Sequence, residues 1–221
     1  MHQYFPASKV IHTGNPVRAS LKHLVRKRRQ ARKHFGLAPD KKCLLVLGGS
    51  LGAHTINESI LHGLAPLLEA GLQLLWPTGH DYFERIKARL KPAQRAAVHL
   101  YPFIDAMDLA YAAADLVVAR GGALVVAELC VAQKPTIFVP SPNVTGDHQT
   151  HNVWPLVEHQ AALMIKDGEA MQALSREVID LSRNENKQKL LAKHMGAWAK
   201  PQATDTIVEE AMQLARMKQE G

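Results

Sequence analysis

The feature of this sequence that most constrains its fold is a regular alternation of short apolar runs with longer segments of helical periodicity. Apolar runs of strand length lie at 43–48, 72–76, 98–102, 115–119, 135–139 and 162–166. The periodicity between them predicts helices at 54–70, 80–91, 105–114, 122–133 and 148–160. Strands that are apolar throughout belong to a sheet covered on both faces, and strict alternation with helices favours parallel pairing. The sequence therefore predicts an α/β fold with a doubly wound parallel sheet of about six strands.

The two ends of the chain differ from this central pattern. Beyond residue 167 the periodicity is wholly helical, with helices predicted at 169–183, 185–198 and 203–218. The last is amphipathic and needs a partner surface; its apolar residues are Ile207, Val208, Ala211, Met212, Leu214 and Ala215. At the other end, "HTGNPVR" contains turn chemistry. We predict a junction segment at 1–20, a sheet domain at 21–167, and helices at 168–221 that pack on it.

The positive charge is concentrated in one place. The formal charge is +7, and the run "LKHLVRKRRQARKHFG" contains no acidic residue. Its cations are Lys22, Arg26, Lys27, Arg28, Arg29, Arg32 and Lys33. Such a run is either a solvated helix face or a contact for phosphates or anionic lipid. Aromatic residues make up only 5% of the chain, which argues against a base-stacking surface, so no nucleic-acid partner is expected.

The cysteines and the apolar segments bear on the compartment. Cys43 and Cys130 each lie inside an apolar element, which favours buried free thiols in a reducing compartment over a disulfide or a metal site. No run approaches 18 uninterrupted apolar residues, and the start "MHQYFPASKV" lacks the pattern of a secretion signal. We therefore expect a chain of the cell interior whose contact with a membrane, if any, is peripheral.

Ligands of open parallel sheets bind beyond the carboxyl ends of the strands, and the first strand ends in glycines. Gly48, Gly49 and Gly52 let the backbone pass close to another group, and Ser50 supplies a hydroxyl. The free amides and dipole of the helix that follows favour a phosphate. A tight turn without a ligand explains the same residues, since the loop is neither a Walker loop nor a G-x-G-x-x-G fingerprint.

The fourth strand repeats this arrangement. In "VVARGGALVVAEL", Gly121 and Gly122 open a helix that carries Glu128. Glu128 could compensate the helix dipole or accept hydrogen bonds from the two hydroxyls of a ribose. Two glycine-initiated helix ends at one edge of a sheet suit a nucleotide diphosphate.

The loops after the fifth and third strands offer polar and apolar contacts. The fifth loop carries several groups able to read sugar hydroxyls, and Asp147 could equally cap the helix that begins there. These groups are Asn143, Asp147, His148, Gln149 and Asn152. The spacing of His148 and His151 without a third ligand argues against a metal pair, so no metal site is expected. After the third strand, Pro102 and Ile104 could form a wall for a flat base.

Four motifs in order and spacing resemble the C-terminal half of the MurG family. They are "TGNPVR", "GGSLGA", "YPFIDAMDLAYAAADLVVARGGALVVAEL" and "DHQTHN", and the resemblance spans roughly residues 5–215. It implies a GT-B glycosyltransferase whose Rossmann-like C-terminal domain binds a sugar nucleotide. The implied reaction transfers N-acetylglucosamine from UDP to the undecaprenyl-diphosphate-linked muramoyl pentapeptide of peptidoglycan synthesis.

The resemblance also implies roles for residues at matching positions. Arg18 and Ser50 would meet the diphosphate, the backbone at Ile104 would bind uracil, and Glu128 would hold the ribose. Ala123 and Leu124 would line the nucleotide pocket, while His148, Gln149 and Asn152 would lie at the donor sugar and phosphates. The further predicted substrate contacts are Asn15, Gly49, Leu51, Gly52, Phe103 and Gly122. No cofactor is implied, and no metal is obligatory at the diphosphate.

This sequence departs from the family pattern at two loops. Leu51 stands where the family usually has glutamine, and the stretch from Gly121 to Val125 is less polar than usual. The family's N-terminal half, with its acceptor site, candidate general base and membrane-docking surface, has no counterpart in these residues. We therefore expect no catalytic residue in this chain, and a location at the inner face of the bacterial plasma membrane for the full-length enzyme.

Two other functions remain open on the sequence. The chain could be a natural donor subunit that takes its acceptor half from another protein, with the cleft face and the last helix as the interface. It could instead be a non-catalytic nucleotide sensor, or a basic protein that binds RNA or a membrane surface through the 22–33 run.

Overall fold

The computed structural model describes residues 6–21, 24–49 and 51–217 and contains a six-stranded sheet. The strands are β1 (Cys43–Leu47), β2 (Gln73–Pro77), β3 (Val98–Tyr101), β4 (Leu116–Ala119), β5 (Thr136–Phe138) and β6 (Leu163–Met164). The helices are α1 (Leu24–His34), α2 (His54–His62), α3 (Leu64–Glu69), α4 (His80–Arg89), α5 (Met107–Ala113), α6 (Ala123–Ala132), α7 (His148–Glu158), α8 (Ala170–Arg183), α9 (Glu185–Ala197) and α10 (Ala203–Met217).

The strands lie in the order β3-β2-β1-β4-β5-β6, and every neighbouring pair is parallel. Leu44 of β1 is paired with Leu74 on one side and with Leu116 on the other. In this doubly wound order the chain reverses its direction of travel across the sheet between β1 and β4, and a crevice forms at that switch point. The predicted α/β, Rossmann-like sheet is therefore confirmed.

The sheet is covered on both faces, as its apolar strands require. On one face Leu45 and Val117 pack with residues of α1, α5, α6 and α7. On the other face Leu44 and Trp76 pack with residues of α2, α3, α4 and α8. Alternate residues of each strand point to opposite faces, so continuous apolar runs supply both cores at once. The glycine loops are thereby held on a rigid layer.

The single helix predicted at 54–70 is wrong. The helical chain breaks at Gly63, between α2 and α3. A Cβ atom at Gly63 would lie 2.3 Å from the Cβ of Ser175, because α8 crosses the chain at this point. The break also has local causes, because glycine weakens a helix and Pro66 has no amide to donate to the carbonyl oxygen four residues before it.

Part of the basic run is neutralised inside the fold. Arg28 and Arg32 of α1 bind the two carboxylate oxygens of Asp115, at 2.6 and 2.7 Å, and Lys27 binds Asp108 at 2.6 Å. Arg26 and Arg29 remain exposed, as does Lys33, while Lys22 lies outside the described residues. The run is thus only in part a solvated face, because some of its cations fasten α1 to the domain.

Three further features concern the last helix, the two cysteines and the lengths of the helices. Residues such as Val208 and Met212 leave an exposed apolar stripe on α10, and both Cys43 and Cys130 are buried free thiols, as predicted. In the described part of the chain, every helix is too short or too polar to cross a membrane.

Candidate functional site

The two glycine loops meet at the switch point of the sheet. β1 and β4 are adjacent and parallel, with Leu47 paired to Ala119 at their carboxyl ends. Gly48 and Gly49 follow the first strand, and Gly121 and Gly122 follow the second. Because both strands run in the same direction, α2 and α6 begin at the same edge of the sheet. Free amides at these two helix ends form a site suited to an anion.

A cavity of 270 Å³ lies beside these helix ends. Six of the predicted substrate contacts line it: Arg18, Gly49, Phe103, Ile104, Leu124 and Glu128. Six further residues that the sequence interpretation did not select also line it: Leu47, Gly48, Pro77, Met107, Tyr111 and Val125. The structure therefore brings residues from five separate parts of the chain to one mostly apolar pocket with a charged wall.

The charged wall is the carboxylate of Glu128, whose residue is only 4% exposed. Its Oε2 atom accepts a hydrogen bond from the Tyr111 hydroxyl at 2.9 Å. Its Oε1 atom is buried and accepts no hydrogen bond from the described residues. A buried acceptor without a donor is costly. The Glu128 carboxylate thus lacks a hydrogen-bond donor for one of its oxygens, and Glu128 lines the cavity.

Arg18 lies against this carboxylate. Its Nε atom is 3.5 Å from Glu128 Oε1, and its Nη1 atom donates to the backbone oxygen of Asp105 at 3.4 Å. The Arg18 side chain is 48% exposed, so it retains access to solvent at the cavity mouth. The guanidinium therefore compensates the carboxylate charge at a distance longer than a hydrogen bond and is free to contact a second anion.

The second glycine loop is held by amide side chains that the sequence interpretation assigned to the ligand. Gln149 Oε1 accepts from the backbone amides of Gly121 at 3.1 Å and of Ser141 at 2.9 Å. Asn152 Nδ2 donates to the Gly121 oxygen at 3.0 Å, and Asn15 Nδ2 donates to the Ala123 oxygen at 3.3 Å. These three side chains fix the backbone from which α6 starts.

Two glycines of this loop have different surroundings. A Cβ atom at Gly121 would lie 2.6 Å from the backbone oxygen of Gln149, so α7 leaves no room for a side chain. At Gly122 no described atom lies within 4 Å of such a Cβ, and the backbone has φ −65° and ψ 139°, which any residue adopts. The described fold therefore requires glycine at position 121 but gives no reason for it at position 122.

The first glycine loop packs against the loop that follows β2. Gly52 has φ +79°, and a Cβ atom there would lie 2.2 Å from the Thr78 oxygen. Leu51 is 77% exposed and does not line the cavity, and the predicted diphosphate contact Ser50 lies outside the described residues. Close backbone packing accounts for Gly52 without a ligand.

An exposed aromatic ring marks the far end of the cavity. Phe103 stacks on His80, with ring centroids 6.3 Å apart and planes inclined by 14°. Ile104 next to it is buried. A flat group entering the cavity at this end would meet an aromatic edge and the backbone that follows β3.

Some predicted contacts lie apart from the cavity. His148 is exposed, and its Nδ1 atom is 3.0 Å from the Thr145 oxygen. Ala123 and Asn152 line a second cavity of 220 Å³ on the other side of α6, together with Asn15. Across residues 6–21, 24–49 and 51–217, no three His, Cys, Asp or Glu side chains come together as a metal site.

Sequence reasoning missed an ion pair beneath the two loops. Arg120 follows β4 directly, and its Nη1 atom donates to the Val139 oxygen at 2.8 Å and to the carboxylate of Asp167. Asp167 also accepts from Thr55, in the first turn of α2, at 2.8 Å. A cation placed directly after an apolar strand was the available signal. This pair joins the ends of β4 and β5 to the start of α2.

The comparisons with known proteins agree with this geometry. The family model for the glycosyltransferase family 28 C-terminal domain matches residues 43–209. Two curated relatives carry the name UDP-N-acetylglucosamine–N-acetylmuramyl-(pentapeptide) pyrophosphoryl-undecaprenol N-acetylglucosamine transferase. The one from Cytophaga hutchinsonii is 42% identical over 97% of this chain, and the one from Parabacteroides distasonis is 40% identical over 99% of it. The crystal structure of Acinetobacter baumannii MurG superposes on 95% of the chain with a TM-score of 0.74 and 28% identity.

The matched proteins are longer than this chain. The chain spans 57% of the Cytophaga transferase, 59% of the Parabacteroides transferase and 58% of the Acinetobacter structure. The family model describes a C-terminal domain, which fits the resemblance of the four motifs to the C-terminal half of MurG. By its sequence and its fold, the chain belongs to the glycosyltransferase family 28 C-terminal domain family.

Proposed function

We propose that this chain is the donor-binding domain of a glycosyltransferase and that its ligand is UDP-N-acetylglucosamine. The observation that carries the proposal is the Oε1 atom of Glu128, a buried carboxylate oxygen without a described hydrogen-bond donor in a residue that lines the cavity. A vicinal diol supplies the donors that such an oxygen lacks, and the adjacent helix ends supply amides for phosphates. A nucleoside diphosphate carries both groups.

With the ribose hydroxyls at Glu128 and the phosphates at the helix ends, we can propose positions for the base and the donor sugar. The base lies at Phe103 and accepts or donates at the Ile104 backbone, while the ribose lies at Glu128. The diphosphate lies between the starts of α2 and α6, where Arg18 turns from the carboxylate to the phosphate oxygens. The donor sugar extends beyond α6 toward the start of α7, where His148 and Gln149 lie. The names of the related transferases, which contain UDP-N-acetylglucosamine, support this choice of sugar nucleotide.

The chemical contribution of this domain is stabilisation of the leaving group. The acceptor C4 hydroxyl oxygen attacks the anomeric carbon, the bond from that carbon to the diphosphate breaks, and UDP departs with the electron pair. Backbone amides at the helix ends and the Arg18 guanidinium stabilise the charge that develops on the diphosphate. The group that takes the hydroxyl proton belongs to the acceptor half. The configuration at the anomeric carbon inverts because the acceptor displaces UDP in a single direct attack.

The acceptor and the membrane belong to the longer protein in this proposal. The lipid-linked muramoyl pentapeptide binds through the N-terminal acceptor domain, at the inner face of the plasma membrane. Exposed Arg26, Arg29 and Lys33 on α1 favour an anionic surface nearby. A nucleic-acid function gains less support, because Arg28 and Arg32 are committed to Asp115.

Calorimetric titration of the 221-residue chain with UDP-N-acetylglucosamine, UDP and ADP tests the proposal. We expect both uridine ligands to bind and ADP to bind at least tenfold more weakly, because adenine presents a different pattern of hydrogen-bond donors and acceptors from uracil to the proposed contact at the Ile104 backbone. Equal binding of UDP and ADP would refute the proposed base site. Failure of all three to bind would refute a self-sufficient donor domain.

The ribose assignment has its own test in Glu128→Ala. A carboxylate that accepts hydrogen bonds from two hydroxyls contributes about 3 kcal/mol, so UDP affinity should fall by about a hundredfold. Glu158→Gln, at an exposed position near the end of α7, is the matched control and should leave affinity unchanged. Unchanged UDP affinity in Glu128→Ala would remove Glu128 from the site.

A further inference from the structure

Tyr111 has a buried hydroxyl that the described reaction does not use. It lies on α5 within the otherwise apolar segment from Ala110 to Ala114, and it is fully buried. Its ring packs in the core between the sheet and the helices, and its hydroxyl lies 2.9 Å from Glu128 Oε2. A phenylalanine would fill the same volume without a polar atom. Packing alone therefore does not account for the hydroxyl.

The direction of this hydrogen bond is fixed by chemistry. An ionised carboxylate only accepts, so the Tyr111 hydroxyl donates. Burial and the negative charge of Glu128 raise the pKa of Tyr111 well above its usual value, so the hydroxyl keeps its proton throughout the physiological range. The bond to a charged acceptor is also stronger than a neutral one. Throughout the physiological pH range, Tyr111 thus donates its hydroxyl hydrogen to Oε2 of Glu128.

This donor leaves the two carboxylate oxygens in different situations. Oε2 is engaged with α5, whereas Oε1 is buried without a described hydrogen bond and has only the distant Arg18 nitrogen at 3.5 Å. Holding one oxygen fixes the rotation of the carboxylate about its last bond. The remaining oxygen keeps a fixed direction before any ligand arrives, which lowers the entropic cost of binding.

We propose that Tyr111 is a positioning residue for ribose recognition: its hydroxyl fixes Glu128 so that Oε1 accepts from the ribose, and the site thereby distinguishes ribonucleotides from 2′,3′-dideoxyribonucleotides. The inference rests on the proposed function, because it needs a nucleoside diphosphate in the 270 Å³ cavity. It adds a residue that does not itself contact the ribose. It also assigns sugar discrimination to the contact between α5 and α6.

The test compares Tyr111→Phe with the unsubstituted 221-residue chain, using UDP and 2′,3′-dideoxyuridine diphosphate as ligands. The unsubstituted chain should prefer UDP by at least tenfold, because the dideoxy ligand leaves Oε1 without a donor. In Tyr111→Phe, UDP affinity should fall about tenfold while affinity for the dideoxy ligand changes less than twofold. A general loss of structure would instead weaken both ligands together.

Tyr101→Phe is the matched control, because Tyr101 on β3 packs against the same core cluster and its described ring contact is with Phe35. It should keep the full preference for UDP. A Tyr111→Phe chain that retains the unsubstituted preference would overturn the inference and leave the donor site intact. An unsubstituted chain that binds neither ligand would overturn the proposed function, and the inference with it.

A second pair of variants covers the case in which Tyr111→Phe does not fold with a buried, underpaired carboxylate. Glu128→Ala removes the carboxylate, and the double variant Tyr111→Phe with Glu128→Ala removes both partners of the hydrogen bond. If Tyr111 acts only through Glu128, the two chains should bind UDP within twofold of each other. A double variant more than fivefold weaker than Glu128→Ala would show an independent role for Tyr111 and overturn the inference.

Discussion

A methyl group added at Gly122 should damage the ligand site without damaging the fold. Gly122 precedes α6, and its amide lies at the helix end where the diphosphate is proposed to bind. No described atom lies within 4 Å of a Cβ built on it, and its φ of −65° suits any residue. The added methyl would therefore occupy open space beside the helix end and meet only a ligand.

The expected effects on folding and on binding differ in size. Alanine before a helix is less favourable than glycine by a few tenths of a kcal/mol to about 1 kcal/mol, and loss of glycine's freedom in the unfolded chain offsets a similar amount. The free energy of unfolding should thus change by less than about 1 kcal/mol. A phosphate oxygen within hydrogen-bond distance of the amide would be displaced by the methyl, at a cost of about 1–3 kcal/mol. UDP affinity should fall by about tenfold or more.

The neighbouring glycine supplies the contrast. At Gly121 a Cβ would lie 2.6 Å from the Gln149 oxygen, so Gly121→Ala must push α7 away and should lower the free energy of unfolding by about 2 kcal/mol. Urea unfolding and UDP titration of both variants measure the two effects separately. If Gly122→Ala bound UDP as tightly as the unsubstituted chain, no ligand would approach this helix end and the reasoning would be refuted.

Two further predictions concern stability. Asp167→Asn should lower the free energy of unfolding by about 3 kcal/mol in urea denaturation, because it leaves the largely buried Arg120 cation without its anion. As a control, Glu84→Gln in the exposed pair with Lys87 should change the free energy of unfolding by less than about 0.5 kcal/mol. Equal effects of the two substitutions would contradict the importance of the Arg120 pair. Burial raises the pKa of Cys130 from 9.0 to about 12, so the stability linked to its protonated thiol is complete below pH 9 and declines by about 1.4 kcal/mol per pH unit above it. The difference in unfolding free energy between the unsubstituted chain and Cys130→Ala should narrow accordingly from pH 9 to pH 10.5, and a constant difference would show that the thiol ionises alike in both states.

The sequence predicted the sheet because most strands are nearly continuous apolar runs, which a sheet covered on both faces can bury. It did not predict the break at Gly63, because the apolar periodicity continues through this residue. Periodicity indicates which face of a segment is buried, whereas the helix breakers Gly63 and Pro66 decide where the helical segment is interrupted, and α8 then packs closely on the glycine.

The candidate site also has features that local sequence reveals and features that depend on the fold. Glycines that open helices and an acidic residue near them can be recognised locally, and Gly49 and Glu128 do line the cavity. Gln149 and Asn152 are predicted at the ligand, which stays a prediction, and in the structure both also bind the backbone of Gly121. Polar side chains near a loop satisfy backbone groups or bind ligands, and sequence alone does not separate these uses.

The sequence by itself determined the fold class and the family to which the chain belongs, and it predicted the edge of the sheet at which we propose that a ligand binds. Periodicity, glycine placement and motif spacing are properties of neighbouring residues, so they can be read without coordinates. Only the tertiary structure decided which oxygen of Glu128 is occupied by Tyr111 and which lacks a described donor. Hydrogen bonds between helices depend on distances of a few tenths of an ångström, and those distances are set by how the helices pack on the sheet.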